Sequence, residues 1–142
     1  MDDFSKFTWL YPLAYKSEVY DKFLEFKAYA EKQFSTSLKI LRTDGGTKYC
    51  NKKMKVFITA QGIVHQHSCP YTPPQNGVAE RKHRHLTEVA IALLHHSSVP
   101  LHFRFDALAC ATYLINRLPS SKLSHKSPFE VLFHHLPAFA FL

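Results

Sequence analysis

Apolar residues recur along this chain at spacings that predict its helices and strands. Spacings of three and four residues are typical of amphipathic helices, whereas short apolar, β-branched or aromatic runs are typical of strands. The sequence accordingly predicts helices over residues 17–34, 52–61, 76–96, 100–118 and 128–134, and strands over residues 7–13, 38–43 and 63–67. This order of elements favours an α/β domain.

The ends of these predicted elements carry residues that favour caps and turns. Ser17 is the predicted cap of the first helix, and Asn76 or Gly77 that of the third, after a proline-rich surface loop over residues 68–75. Pro119 ends the fourth helix, because proline cannot continue one. The third and fourth helices each have an apolar side that we expect to be buried, namely Leu86, Val89, Ala90, Leu93 and Leu94, and Phe103, Ala107, Ala111, Leu114 and Ile115.

The composition limits the class of protein. A length of 142 residues allows one domain with a modest core, and a hydrophobic content of 46% excludes a disordered tail. No apolar run reaches the roughly 18–20 residues of a membrane span and no secretory signal is visible, so we expect an intracellular protein without a membrane partner. The odd count of three cysteines suits a reducing compartment, and the net charge of +7 suits a nucleic-acid partner.

Asp44 and Glu80 are the foremost candidates for chemistry. Asp44 follows the strand predicted over residues 38–43, and Glu80 lies at the predicted start of a helix. Carboxylates at a strand end and on the first turn of a helix can converge on a divalent metal, because such ions prefer hard oxygen ligands. Each acid alone has a simpler explanation, Asp44 as a turn residue and Glu80 as a favourable charge at a helix N-terminus.

The residues around both acids resemble a known family. Residues 76–81 (Asn-Gly-Val-Ala-Glu-Arg), residues 113–119 (Tyr-Leu-Ile-Asn-Arg-Leu-Pro) and the separation of Asp44 from Glu80 are similar to the integrase catalytic core of copia-type LTR retrotransposons. The similarity runs through residues 1–130. It implies a ribonuclease H-like α/β fold and an Asp-Asp-Glu triad that holds Mg²⁺ or Mn²⁺. The implied reaction is DNA integration, in which 3′ ends of element DNA are processed and joined to target DNA.

The resemblance also implies roles for individual residues. Asp44 and Glu80 match the second Asp and the Glu of the triad, so both are implied catalytic residues and metal ligands. The loop before Glu80 matches the mobile active-site loop of integrases. Arg84, one turn after Glu80, lies on the same helix face and can grip phosphate. The implied DNA contacts are Tyr71, Gln75, Asn76, Arg81 and Arg84. The simpler alternative for the loop is a turn stiffened by prolines, and the simpler alternative for the two arginines is a helix surface that is charged for solubility.

Part of the family pattern is absent. The first catalytic Asp of the family lies in a His-x-Asp-x-x-Gly-Pro motif on the first strand, and no such motif occurs here. Asp2 and Asp3 match the end of the second strand and are not the metal ligand on this alignment. We therefore expect an incomplete core that lacks the first strand and most of the second. Residues 1–119 are the predicted partial core, and residues 120–142 are its C-terminal extension.

The expected function is that of an integrase-core fragment with little or no activity by itself, because one acid of three is absent. The alternatives are a non-catalytic basic DNA-binding module and an unfolded remnant of the same descent. For the full-length family context, the resemblance implies other integrase subunits as partners and the nucleus as location.

Two further features bear on the site. Histidines occur in close pairs, at 65/67, 83/85, 95/96 and 134/135, but their spacing fits no four-ligand zinc pattern, so we predict surface or loop residues. Arg104 stands where the family usually has a Trp, which predicts a buried, unpaired charge.

Overall fold

A computed structural model describes residues 1–43, 52–67 and 73–139 of the chain, and the backbone alone for residues 73–76. Its α-helices are α1 (Val19–Phe34), α2 (Lys52–Ala60), α3 (Pro73–Ser97), α4 (Arg104–Arg117) and α5 (Pro128–Phe133). Its strands are β1 (Ile40–Thr43) and β2 (Val64–His67), and 3-10 turns lie at Lys16–Glu18, Leu101–Phe103 and Ser121–Leu123. The predicted helices and the second and third predicted strands are confirmed, with shifts at their ends.

β1 and β2 form a parallel pair, in which Ile40 lies opposite Val64 and Thr43 lies opposite His67. Parallel strands need a crossover connection, and α2 lies between the two strands in the chain. Because both strands run in the same direction, Thr43 and His67 lie together at the C-terminal ends of the two strands. The residue after Thr43 is Asp44.

Contacts within the chain define two compact units. The strand unit is Tyr11–Val78, and the helical unit is Met1–Leu10 together with Ala79–Leu142. The core of the strand unit consists of Val19, Met54, Ile58 and Ile63, with Tyr20, Phe23, Leu38 and Leu41 packed against it. Met54 and Ile58 are one turn apart on α2, so one edge of this helix is anchored in the core.

Two local features fix the connections of the strand unit. Gly62 has a φ of 66°, a left-handed conformation that glycine adopts without strain, and it lies between α2 and β2. At the other connection, the Glu31 carboxylate accepts hydrogen bonds from the Leu38 N–H (2.8 Å) and the Lys27 ammonium (2.6 Å). These donors lower the pKa of Glu31 and join the end of α1 to the chain that enters β1.

The helical unit is built on the contact between α3 and α4. Ala90, Ala107 and Ala111 form its buried cluster, and larger side chains pack around them, namely Val89, Leu93, Leu94 and Leu108. Leu86 and Ile115 are also buried. The apolar sides predicted for the two helices are thus confirmed at these positions.

The strand predicted over residues 7–13 is wrong. Among the described residues, the sheet consists of β1 and β2 and no strand pairs with this segment. The side chain of Asn116 pairs with it instead: the Thr8 N–H donates to Asn116 Oδ1 (2.9 Å), and Asn116 Nδ2 donates to the Thr8 carbonyl (2.8 Å). β-prone composition favours an extended chain, but a strand also needs a backbone neighbour.

Two predicted helix starts are also wrong. Ser17 lies inside the 3-10 turn that precedes α1, and the cap position belongs to Glu18, since that turn starts the helical backbone earlier. α3 begins at Pro73, so the predicted loop is helical from there on and Asn76 and Gly77 are interior residues rather than caps. Proline suits a first helical position, because an N–H there has no intrahelical partner.

The region before α4 corrects two further predictions. Phe103 is 42% exposed, because the 3-10 turn at Leu101–Phe103 interrupts the helical period that would place it beside Ala107. Arg104 is exposed, and its guanidinium carbon lies 5.8 Å from the centre of the Phe105 ring. The predicted buried charge is therefore wrong, since solvent reaches this arginine.

Candidate functional site

Glu80 lies on the exposed surface of α3, about two turns after the helix begins at Pro73. The electrostatic benefit of an acid at a helix N-terminus falls off within the first turn. Glu80 is therefore too far from the helix N-terminus to act as a charge that stabilises the start of its helix.

This face of α3 bounds an open, shallow depression of about 490 Å³, which we call the groove of α3 and which is lined by residues of this one helix. Its lining residues recur at helical spacing and are Glu80, His83, Arg84, Thr87 and Glu88. Arg84 lies between the two acids in sequence and is exposed. In the described part of the chain, no ion pair joins Arg84 to Glu80 or Glu88, so its guanidinium remains open to an anion from outside.

The neighbouring basic residues lie elsewhere. Arg81 is exposed but does not line the groove. Lys82 is half-buried in the helical unit, and this burial, together with the positive charge of Lys122, lowers its pKa. Within the basic run over residues 81–85, His83 and Arg84 are the side chains that line the groove together with Glu80.

Several predicted site residues lie outside the part of the chain whose side chains the structure describes. Asp44 and Tyr71 lie outside the described residues, and Gln75 and Asn76 are described by their backbone alone, within α3. Their roles in metal and DNA binding stay predictions. Among the described residues, no group of three or more His, Cys, Asp or Glu side chains is placed to hold a metal ion.

The strand end before Asp44 is held by side chains that the sequence analysis missed. Buried Thr43 has its Oγ1 2.9 Å from Nε2 of His65 on β2, and Arg42 donates from Nε and Nη2 to Gln66 Oε1 (3.1 and 3.0 Å). Burial lowers the pKa of His65, and nearby positive charge lowers it further. These contacts join residues of two different strands, so no short-range pattern in the sequence indicates them.

Asp2 and Asp3 are engaged locally. The Asp2 carboxylate accepts hydrogen bonds from the backbone N–H and the hydroxyl of Ser5 (2.7 and 2.6 Å), and Asp3 forms an ion pair with Lys6 (2.9 Å). Ser5 is fully buried, so the Asp2 contact stabilises the turn at the start of the helical unit. Both carboxylates therefore have partners within the same short segment, residues 2–6.

The helices within residues 1–43, 52–67 and 73–139 include none that is both long and apolar enough to cross a membrane.

Curated relatives of the chain are polyproteins of plant transposons. The chain is 43% identical over 137 residues to the retrovirus-related Pol polyprotein from transposon RE2 of Arabidopsis thaliana, covering 96% of the chain and 9% of that protein. It is 36% identical over 145 residues to the corresponding polyprotein from transposon TNT 1-94 of Nicotiana tabacum, covering 98% of the chain and 11% of that protein. The chain thus spans about a tenth of these relatives. No protein-family model matches it.

Solved structures with a similar fold are retroviral integrases. A chain of the simian T-cell lymphotropic virus intasome in complex with the PP2A regulatory subunit B56 gamma has a TM-score of 0.65 at 23% identity, covering 89% of this chain and 42% of that one. The HTLV-2 integrase catalytic core domain in complex with magnesium has a TM-score of 0.60 at 20% identity, covering 84% and 70%. The catalytic core domain of BIV integrase has a TM-score of 0.59 at 22% identity, covering 89% and 76%.

These findings agree with the resemblance drawn from residues 76–81 and 113–119. The chain therefore belongs with the retrovirus-related Pol polyproteins of plant transposons, and its fold is that of an integrase catalytic core of ribonuclease H-like type.

Proposed function

We propose that this chain acts in DNA integration as part of an integrase catalytic core, and that α3 is the surface that holds a DNA end. The observation that carries the proposal is the groove of α3, where Glu80 and Arg84 are exposed side by side. An arginine beside a carboxylate suits a phosphate that must lie close to a cation, because guanidinium binds phosphate oxygens in a bidentate way.

The proposed roles follow from the chemistry of each side chain. Arg84 holds the phosphate to be attacked, and Arg81, Tyr71, Gln75 and Asn76 contact the neighbouring DNA. Glu80 and Asp44 each offer a carboxylate to Mg²⁺ or Mn²⁺, and an exposed carboxylate such as that of Glu80 fits a hard cation. When bound, such ions activate the attacking hydroxyl and stabilise the leaving oxygen.

Two carboxylates are too few for a two-metal site, so phosphoryl transfer needs a further acid ligand. We therefore expect the 142 residues by themselves to process DNA little or not at all. The test is a labelled DNA end incubated with the chain and Mn²⁺. Cleavage that disappears in Glu80→Gln would overturn this expectation.

DNA binding is testable apart from catalysis. We expect binding to labelled duplexes to weaken as salt rises, and loss of one phosphate contact in Arg84→Ala to reduce the slope of log K against log salt by about 0.9. Arg104→Ala is the matched control, since Arg104 is also an exposed arginine of the helical unit but lies outside the groove. Equal effects of the two variants would count against the groove as the DNA surface.

A non-catalytic basic DNA-binding module of the same descent is the second candidate function. The net charge of +7 and the exposure of Arg81 and Arg84 favour it. In that case Asp44→Asn leaves DNA binding unchanged, and the chain stays inactive even when the complete catalytic triad is supplied in a longer polyprotein segment. Restored cleavage in such a segment, sensitive to Asp44→Asn, would exclude this second candidate.

The partners within this proposal are element DNA ends, target DNA and further integrase subunits. The similarity to an intasome chain supports assembly with other subunits. Because the target would be chromosomal DNA, the proposed place of action is the nucleus.

A further inference from the structure

The groove of α3 contains a second carboxylate that the proposed function leaves unused. Glu88 lies two helical steps of four residues beyond Glu80, and Arg84 is midway between them. Glu88 is exposed, and no ion pair involving it occurs in the described parts of the chain. A carboxylate at this place repels phosphate, so it calls for a different contact with a bound nucleic acid.

We propose that Glu88 determines sequence preference by accepting a hydrogen bond from the exocyclic amino group of a cytosine in the DNA held on α3. This inference rests on the proposed function, because it takes DNA as the occupant of the groove. The exposed cationic Arg84 supports an anionic occupant. Glu88 supports one that also presents a hydrogen-bond donor, and DNA bases carry such donors on their edges.

The helix geometry limits how far that cytosine lies from the phosphate. Eight residues at a rise of about 1.5 Å separate Glu80 from Glu88 by about 12 Å along the helix axis. Base pairs are stacked at about 3.4 Å, so this distance spans at most roughly three to four base pairs from the phosphate held beside Glu80. The contact therefore lies within the DNA end and away from the reacting bond.

The chemistry of the major groove makes the preference specific. A carboxylate accepts from the cytosine N4 amino group, whereas guanine offers acceptor atoms at the corresponding edge and would be repelled. Inverting one C·G pair to G·C moves the amino group to the other strand without changing the composition of the duplex. Glu88 therefore distinguishes the two orientations of a single base pair.

The experiment measures binding of the full 142-residue chain to labelled duplexes of equal length that differ in the orientation of one base pair. The pair is inverted in turn at each position near the end, in buffer without divalent ions. We expect one inversion, within about four pairs of the end, to weaken binding about tenfold. Glu88→Ala should abolish that difference, because it removes both the acceptor for the cytosine amino group and the charge that repels guanine.

Two further variants sharpen the test. Glu88→Gln should move the preference from cytosine to adenine, because a carboxamide pairs with the amino group and N7 of adenine. Glu25→Ala removes an exposed carboxylate of α1, in the strand unit, and should leave the preference unchanged.

The outcomes separate this inference from the proposed function. Binding without an orientation preference, or a preference that persists in Glu88→Ala, would overturn the role of Glu88 and leave DNA binding intact. Absence of DNA binding at low salt would overturn both.

Discussion

Replacement of Asn116 should release the segment at the start of the helical unit. The Asn116 carboxamide donates to and accepts from the backbone of Thr8, so it does what a neighbouring strand does in a sheet. Asn116 is 3% and Thr8 8% exposed, which leaves no ready access for water to replace these bonds. Asn116→Ala removes both partners at once and leaves the N–H and the carbonyl of Thr8 unpaired.

The size of the effect follows from those two groups. Each buried polar group left without a partner costs about 1–3 kcal/mol, so for two groups we expect the free energy of unfolding to fall by about 2–6 kcal/mol. Small domains are stable by roughly 5–15 kcal/mol, so this loss is a large fraction of the total. Asn116→Asp should be at least as damaging, because a carboxylate would face the Thr8 carbonyl without a proton to donate.

The assay is urea unfolding followed by both circular dichroism and tryptophan fluorescence. Trp9 is the only tryptophan of the chain and follows Thr8 directly, with its ring 4.9 Å from that of Phe7. Its emission therefore reports on this segment, and we expect a red shift in Asn116→Ala under native conditions.

Thr112→Val is the matched control. Thr112 is equally buried on α4, but its hydroxyl donates to the Leu108 carbonyl of the same helix (2.7 Å). If Asn116→Ala lowers stability no more than Thr112→Val and leaves the Trp9 emission unchanged, the pairing between Asn116 and Thr8 is not what holds the segment.

Three further predictions concern the strand unit, and urea titration measures each of them. Burial and the charges of His67 and Lys55 lower the pKa of His65 in the folded chain below its ordinary 6.5. The contribution of His65 to stability is therefore complete above pH 6.5 and is lost as the pH falls through and below that value. His65→Gln should flatten this dependence of stability on pH, and an unchanged slope would contradict the prediction. Met54 is fully buried, so Met54→Ala should cost about 2–5 kcal/mol, and a loss below that of an exposed control, Val56→Ala, would refute the core assignment. A Cβ added at Gly62 lies within 4 Å of no other atom. Gly62→Ala should therefore lower the free energy of unfolding only by the backbone strain of a positive φ, about 1 kcal/mol, and a much larger loss would indicate a steric contact.

The helices and the two strands of the sheet were predictable because their signals are local, whereas the parallel pairing of the strands comes from the structure. The stripe of Val19 and Phe23 on α1, and the apolar residues of α3 and α4, repeat with the period of the structure they form. The ends of these elements were not predictable to the same degree. Asn76 and Gly77 are good capping residues, yet Pro73 starts the helix earlier, since several residues near a helix start satisfy the same local requirements.

The candidate site was likewise predictable only where its signal lies within one helix. Arg84 was placed beside Glu80 from the spacing of one helical turn, and the groove of α3 contains both. Glu88 belongs to the same groove but was not singled out, because an acid on a helix surface is ordinary until its neighbours are known. The link between Thr43 and His65 joins two strands and has no short-range signal in the sequence.

The sequence by itself determined the family, the order of the main helices and strands from residue 17 onward, the helix that carries Glu80 and the basic residues that follow it. These properties depend on residue type and on spacing along one element. Only the tertiary structure decided that residues 7–13 form no strand, that Asn116 pairs with Thr8, and that Arg104 remains in solvent. Such outcomes depend on which distant groups come close enough to pair or to exclude water, and local propensity contains no information about those distances.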